Sequence, residues 1–195
     1  MAEFLRTDDT QVANQVTGMT VDAEEVIAAR PAIVWNLVAD VSRVGEWSPE
    51  CIEAAWLGDV GRPQPGATFT GRNRIGNGFE YEVTCVVTEA DRPSAFAWVV
   101  LDDSSDPARP SSAWRYQIDP VPDGGSRVRQ RFTHGPGDSF LRAVAASAPD
   151  RAAEFIAARL DRLRANMSVT LLAMKAVAES SSGQWSAFHQ AATFG

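Results

Sequence analysis

Only two cysteines and two histidines occur among the 195 residues, and that scarcity removes several kinds of chemistry at once. Cys51 and Cys85 lie far apart in apolar or strand-like surroundings. They form no CxxC or Cys/His spacing, so they read as free buried thiols rather than metal ligands. His134 and His189 cannot build a His-rich metal site, and neither a metal nor a cofactor is expected. No run of about 18 apolar residues is present, which excludes a transmembrane helix. Basic charge is short as well: the net charge is −7, and the average field repels nucleic acid and anionic membranes. The N-terminal MAEFLRTDDTQVANQ is polar and acidic, without the basic start and apolar stretch of a signal peptide, so cytoplasmic residence is the default expectation. A nucleophile elbow, a phosphate loop and a paired-carboxylate signature are all missing.

The remainder is patterned as one domain. Residues 1–17 are polar and aperiodic and are expected to be a flexible tail. Residues 180–195 open on a Ser/Gly linker and are expected to be a second tail, with Trp185, Phe188 and Phe194 either loose or docked. Between them, 18–179 form the domain. A strand is expected from Met19 to about Ala28. Pro31 suits the first turn of a helix, and Ile33, Val34, Leu37 and Val38 recur at helical spacing. A second short helix should run through Val44 to Trp47 and stop at Pro49. Strands follow at Cys51–Leu57, Thr68–Ile75, Phe79–Glu89, Ser94–Leu101, Ala113–Pro120 and Arg127–Thr133, separated by turn signals such as Gly76-Asn-Gly78 and PDGG. Asp138–Ala146 gives an opening turn or short helix. From Asp150 to about Glu179, Ile156, Leu160, Leu163, Met167, Leu171 and Met174 fall on one line of a helix, about 45 Å long at 1.5 Å per residue.

This order predicts an α+β fold: a curved antiparallel sheet of about seven strands wrapped around a long C-terminal helix, with two short helices after the first strand. Hairpin-linked strands with one apolar face must cover that face. Only the terminal helix is long enough to do so, and the space between the two is where a ligand would sit.

Strand parity then sorts the side chains. Phe69 and Asn73 face inward in the second of the strands after the short helices, with Gly71 leaving room between them. Asn73 is a buried amide whose partner is either backbone, water or a ligand. Tyr81, Val83, Trp98, Trp114, Tyr116, Gln130 and Phe132 share the concave face, where the aromatic rings either fill a core or line a pocket with the tyrosine hydroxyls as anchors. Gln130 is a second buried amide. Leu163 and Met167 close the space from the helix. Arg159 and Asn166 flank the apolar stripe, and Arg159 either reaches solvent or a salt bridge or holds a ligand carboxylate or carbonyl in its planar fork. His134 ends the last strand at the rim, where it is either simply exposed or an acid/base group. Trp35 reads as core, Trp47 as core or pocket mouth, and Asp40 and Arg43 as helix-end charges. Arg127, Arg129 and Arg131 alternate on the outer face and are expected to be solvated.

Several of these motifs carry a resemblance. Pro31-Ala-Ile-Val-Trp35-Asn-Leu37-Val-Ala-Asp40, followed by Arg43, Trp47, Ser48 and Pro49, resembles the opening of the SRPBCC superfamily, the START-like or helix-grip proteins. Gly66-Ala-Thr-Phe69 with Gly71-Arg-Asn73-Arg74, Trp114-Arg-Tyr116 with Gly125-Ser-Arg-Val128, and Asn166-Met167 through Leu171 to Glu179 resemble successive later segments of its polyketide cyclase/dehydrase branch, of the actinobacterial type. The resemblance spans about 18–179. It implies a helix-grip fold and a small hydrophobic partner: a lipid, a polyketide or an aromatic compound. It leaves open a binding protein, a polyketide cyclase or dehydratase with His134, Tyr81, Tyr116 and Arg159 as its candidate groups, and an interaction module whose cavity has collapsed. Nucleic acid and integral membrane segments are not expected partners.

Overall fold

A computed structural model describes residues 15–58, 63–76 and 78–192, with side chains to residue 180. The expectation of a tail over 1–14, the Asn77 of the Gly-Asn-Gly turn, and the side chains of Trp185, Phe188 and Phe194 lie outside the described residues. The chain runs β1 (Thr20–Ile27), α1 (Pro31–Ala39), a 3-10 turn (Val41–Glu46), β2 (Cys51–Trp56), β3 (Thr68–Arg74), β4 (Glu80–Asp91), β5 (Ala95–Val100), β6 (Ser112–Pro120), β7 (Ser126–His134), α2 (Phe140–Ser147), a 3-10 turn (Pro149–Arg151) and α3 (Ala152–Ala192). Pro31 does open α1. The second short helix is 3-10 rather than α-helical. Ser139 caps α2 by accepting the Arg142 backbone N–H through its hydroxyl, the usual way to satisfy an orphan donor.

The seven strands form one antiparallel sheet in the order β1-β7-β6-β5-β4-β3-β2, so the first strand returns beside the last and all other neighbours are consecutive. Register shifts interrupt the ladder at Val87/Glu89 in β4 and at Cys51/Glu53 in β2. Such bulges bend a strand and increase its twist, and these two lie in the half of the sheet farthest from β1. The curved sheet holds α3 in its hollow. Leu163, Met167, Leu171, Met174 and Ala178 on the helix are buried in the same core as Val21, Ile27, Phe96, Ile118 and Val128, as the stripe of apolar residues predicts. Trp35 in α1 is buried and its indole N–H donates to the Ala95 carbonyl at 2.9 Å. Val16, within the segment read from sequence as a tail, is fully buried with Ala145, Ala152 and Ile156 in a small second cluster.

On the convex face, Arg127 and Arg129 pair with Glu24, and Arg131 with Asp22. The outer arginines are thus matched by carboxylates on the neighbouring β1 instead of standing alone in solvent. At the far end, Lys175 Nζ bonds Glu25 Oε1 at 2.7 Å and the Val26 carbonyl at 2.8 Å. Glu179 Oε1 there accepts the Ala28 backbone N–H at 2.8 Å. These bonds fasten the later part of α3 to β1.

Candidate functional site

The hollow between sheet and helix has two unlike ends. Where β1, β6 and β7 meet the later part of α3, the inward residues Ile27, Ile118, Val128 and Met174 are fully buried. Toward the β2–β4 end the cover thins. Cys51 pairs with Asn73 and Asn73 with Tyr81 across the ladder, in a row that extends past the end of β5. Here Cys51, Asn73 and Val83 are half-buried, and Tyr81 is 36% and Phe79 56% exposed. This corrects the expectation that Asn73 is a fully buried amide and that Tyr81 lies on a covered face. β4 begins at Glu80, and the Phe79 and Tyr81 rings stack on each other at the rim, centroids 6.2 Å apart. Asn73 Nδ2 reaches the Gly71 carbonyl at 3.4 Å, so its partner is backbone. Gly71 does not leave a gap: a Cβ there would meet Cys51 Sγ at 3.5 Å and Val83 Cγ2 at 3.6 Å, ordinary contacts.

Between these ends lies an aromatic layer. Trp98 and Trp114 face each other in register on β5 and β6, their rings stacked with centroids 6.3 Å apart. Trp114 meets the edge of Phe132 at 5.0 Å, and Trp98 meets Phe69 at 6.0 Å and Tyr116 at 6.0 Å. The two tryptophans are half-buried, while Phe69, Tyr116, Phe132, Leu163 and Met167 are buried. The residues singled out from strand parity are therefore brought to one concave surface.

Two polar groups in that layer stand out. Gln130 is 5% exposed, and its Oε1 has no hydrogen-bond partner. Tyr116 stands opposite it in register, and no hydrogen bond is formed by its hydroxyl among the described residues. A buried amide oxygen left without a donor costs about 1–3 kcal/mol, so the fold carries a penalty here that packing alone does not explain. Burial holds the Tyr116 phenol well above its ordinary range, with Cys51 adding to the effect, and burial raises Tyr81 while the nearby Arg159 charge lowers it. Both tyrosines are therefore hydroxyl donors at neutral pH. The Cys51 thiol is pushed up to about 11 by burial, so it is a thiol, not a thiolate nucleophile.

Charge enters the hollow at the half-covered end. Arg159 on α3 forks onto Glu50, just before β2, at 2.5 and 2.9 Å. Asn166 Nδ2, two turns further along the helix, bonds Glu50 Oε1 at 2.9 Å. The Arg159 and Glu50 side chains are 29% and 17% exposed. The sequence left Arg159 between a salt bridge and a ligand; it has a salt bridge, and with a residue that the sequence reading did not single out. Glu50 carries no motif signal, because its role depends on a helix more than a hundred positions away. Arg162 lies over the β3–β4 turn, 2.9 Å from where a Gly76 side chain would begin.

His134 departs from expectation. It is 4% exposed rather than open at the rim, because the chain turns back over it into α2. Its Nδ1 lies 3.0 Å from the Gly135 carbonyl and its Nε2 2.9 Å from the Ser139 hydroxyl. A neutral ring that donates from Nδ1 and accepts at Nε2 satisfies both. Burial lowers its pKa below the ordinary 6.5, and the Arg142 and Arg159 charges act the same way. The unfolded chain then binds the proton more readily, so His134 favours folding above pH 6.5 and that contribution fades as the pH falls through this value. A urea-midpoint series between about pH 7 and 5 should show stability dropping with pH, and His134→Gln should flatten the drop; an unchanged slope in the variant would assign it to other groups.

Two open depressions lie among the described residues. One of about 460 Å³ is bordered by Glu89, Ala97, Trp98, Trp114, Arg115 and Arg131, and one of about 300 Å³ lies between the end of β1 and α3, by Val26, Ile27, Val121, Lys175 and Glu179. No helix among them is long and apolar enough to cross a membrane. Among the described residues, no group of three or more His, Cys, Asp or Glu is placed to hold a metal.

This architecture matches known proteins. A family model described as polyketide cyclase / dehydrase and lipid transport matches residues 19–168. The chain belongs to that family. The match covers all seven strands and the helix as far as Ser168, and it agrees with the START-like resemblance of the sequence motifs. No curated protein matches the chain. Among solved structures, a polyketide-cyclase-like protein from Corynebacterium glutamicum, Cgl2372, is 27% identical, with a TM-score of 0.59 over 85% of this chain and 94% of that one. StfQ, a di-domain ARO/CYC of the steffimycin biosynthetic pathway, is 16% identical with a TM-score of 0.65 over 91% of this chain and 56% of that one. TTHA0849 from Thermus thermophilus is 13% identical with a TM-score of 0.55 over 84% and 99%. The last two likenesses are of fold alone.

Proposed function

We propose that this polyketide cyclase/dehydrase family member binds a small hydrophobic molecule, such as a lipid, a polyketide or an aromatic compound, in the hollow between the sheet and α3. The orphaned Gln130 amide carries this reading. An unmet acceptor beside an unpaired Tyr116 hydroxyl, inside an otherwise apolar aromatic layer, is what a ligand bearing one polar group would complete. Phe69, Asn73, Tyr81, Val83, Trp98, Trp114, Phe132, Leu163 and Met167 form the proposed lining, and Arg159 stands at its half-covered end. Entry requires side chains to give way, and the thioether of Met167 and the rim pair Phe79 and Tyr81 are the most adaptable. A cyclase or dehydratase in the same space would need a free proton acceptor. His134 has both ring nitrogens engaged and the tyrosines are held as phenols, so the proposal is a binding protein.

A second reading, an interaction module with a filled hollow, is favoured by one observation: Phe69, Tyr116, Phe132, Leu163 and Met167 are buried together in one core. Native mass spectrometry of the protein purified under mild conditions from its own host separates the two. A co-purified small molecule is the expected result. Gln130→Met provides the matching variant: it should raise unfolding stability by about 1–3 kcal/mol by removing the unmet oxygen and should lose the bound mass. Retention of that mass by the variant, or a bare protein in both cases, would sink the proposal.

A further inference from the structure

The Glu50 carboxylate is held from three directions. Arg159 supplies a two-pronged guanidinium, 2.5 Å to Oε1 and 2.9 Å to Oε2, and Asn166 adds an amide N–H at 2.9 Å to Oε1. That is a complete planar receptor for one carboxylate, the geometry for which an arginine fork is suited. The receptor belongs to the helix; only the occupant belongs to the sheet side. Glu50's backbone is fixed independently of its side chain. The Arg74 backbone N–H donates to the Glu50 carbonyl at 2.8 Å, and the Glu50 N–H is 3.3 Å from the Ser48 hydroxyl. The side chain can therefore leave without unpicking the strand. The receptor also lies beside the proposed hollow rather than out on the surface. Arg159 and Asn166 flank the buried Leu163 on α3, and Glu50 directly precedes Cys51, which pairs with Asn73 at the half-covered end. The Tyr81 hydroxyl makes no hydrogen bond among the described residues and stands ready as a further donor.

Resting on the binding function proposed above, we infer that Glu50 is an internal stand-in for the carboxylate of the ligand. The molecule bound is an amphipathic carboxylic acid: its largely apolar body lies in the aromatic layer, carrying the polar group that meets Gln130, and its carboxylate displaces Glu50 from Arg159 and Asn166. Exchange of one carboxylate for another leaves the receptor's charge balance unchanged, so no buried guanidinium is ever left unpaired. The released Glu50 turns to water at an already half-covered edge. Glu50 acts meanwhile as a tethered competitor, which admits acids of sufficient apolar contact and turns away small carboxylates. A neutral ligand of the same shape gains nothing from the exchange.

The test compares a fluorescent polyene fatty acid with the alcohol of the same chain, titrated against the full chain and its variants. If the state with Glu50 displaced makes up about a tenth of the resting population or less, its removal tightens acid binding about tenfold or more. Glu50→Gln should therefore bind the acid about tenfold more tightly and the alcohol unchanged. Glu50→Asp, which keeps the charge but shortens the reach, should shift acid binding in the same direction and guards against a misfolded first variant. Arg159→Gln should bind acid and alcohol alike. Acid and alcohol responding equally to both Glu50 substitutions, or the acid weakening, would overturn the inference and make the pair a structural clasp. Absence of binding by either probe to every form, wild type included, would overturn the binding function itself along with this inference.

Discussion

Replacing Phe96 by alanine should lower the unfolding free energy by about 3–5 kcal/mol. Phe96 has 0% exposure on β5, the central strand of the sheet. It touches the edge of Trp35 with centroids 6.4 Å apart and lies 5.7 Å from Trp98. Its ring therefore joins α1 to the aromatic layer, and the indole of Trp35 is itself pinned to Ala95 next door. Truncation leaves a void bordered by rigid aromatic rings that cannot collapse into it, the circumstance in which the cavity cost adds fully to the lost transfer energy. Denaturant unfolding followed by tryptophan fluorescence and far-ultraviolet dichroism measures it. A loss under about 1 kcal/mol would mean that the layer repacks freely.

The second expectation concerns binding. Trp114→Ala should abolish binding of a fluorescent fatty-acid or aromatic probe, more than about tenfold (1.4 kcal/mol) in affinity, while dichroism stays native-like. Trp114 is stacked on Trp98 and edge-on to Phe132, yet it is half-buried. Its removal thus costs less in folding than the loss of Phe96 but breaks the middle of the proposed lining. Probe affinity retained in a folded variant would place the ligand elsewhere. Unfolding of the variant at room temperature would make Trp114 chiefly a core residue, and Trp98→Phe would then repeat the binding comparison with a smaller change in volume.

The fold was legible because its elements carry local signals. The helix stripe from Ile156 to Met174 has a period that only a helix can bury, and the alternation in β4 and β7 fixes which side chains face inward. Hairpin turns between consecutive runs exclude crossover helices and with them a parallel sheet. What alternation cannot see is how far each inward residue is covered. Tyr81 and Asn73 have the right parity, but their row projects past the end of β5, and the exposure follows from strand lengths that no local pattern encodes. His134 differs from its sequence expectation for a related reason: a strand-end histidine before Gly-Pro-Gly looks open until α2 folds back over it. Glu50 gives no local signal at all. A single glutamate after a proline has no periodicity, and its meaning comes from Arg159 and Asn166, distant in sequence. Gln130 and Arg159 were identified because a polar residue on, or beside, an apolar face is an anomaly in the sequence itself.

The unequal cover along the hollow has an evolutionary consequence. Side chains at the packed end, Ile27, Ile118, Val128 and Met174, are committed to holding the protein together, and almost any exchange there is destabilising. Those near Asn73, Tyr81 and Val83 already border solvent, so replacing them perturbs the folding free energy little, and changes at the two ends should combine almost independently. New recognition preferences can therefore arise at one end by ordinary drift while the other keeps the scaffold intact, which gives a physical reason why chains only 13–27% identical can keep this one architecture.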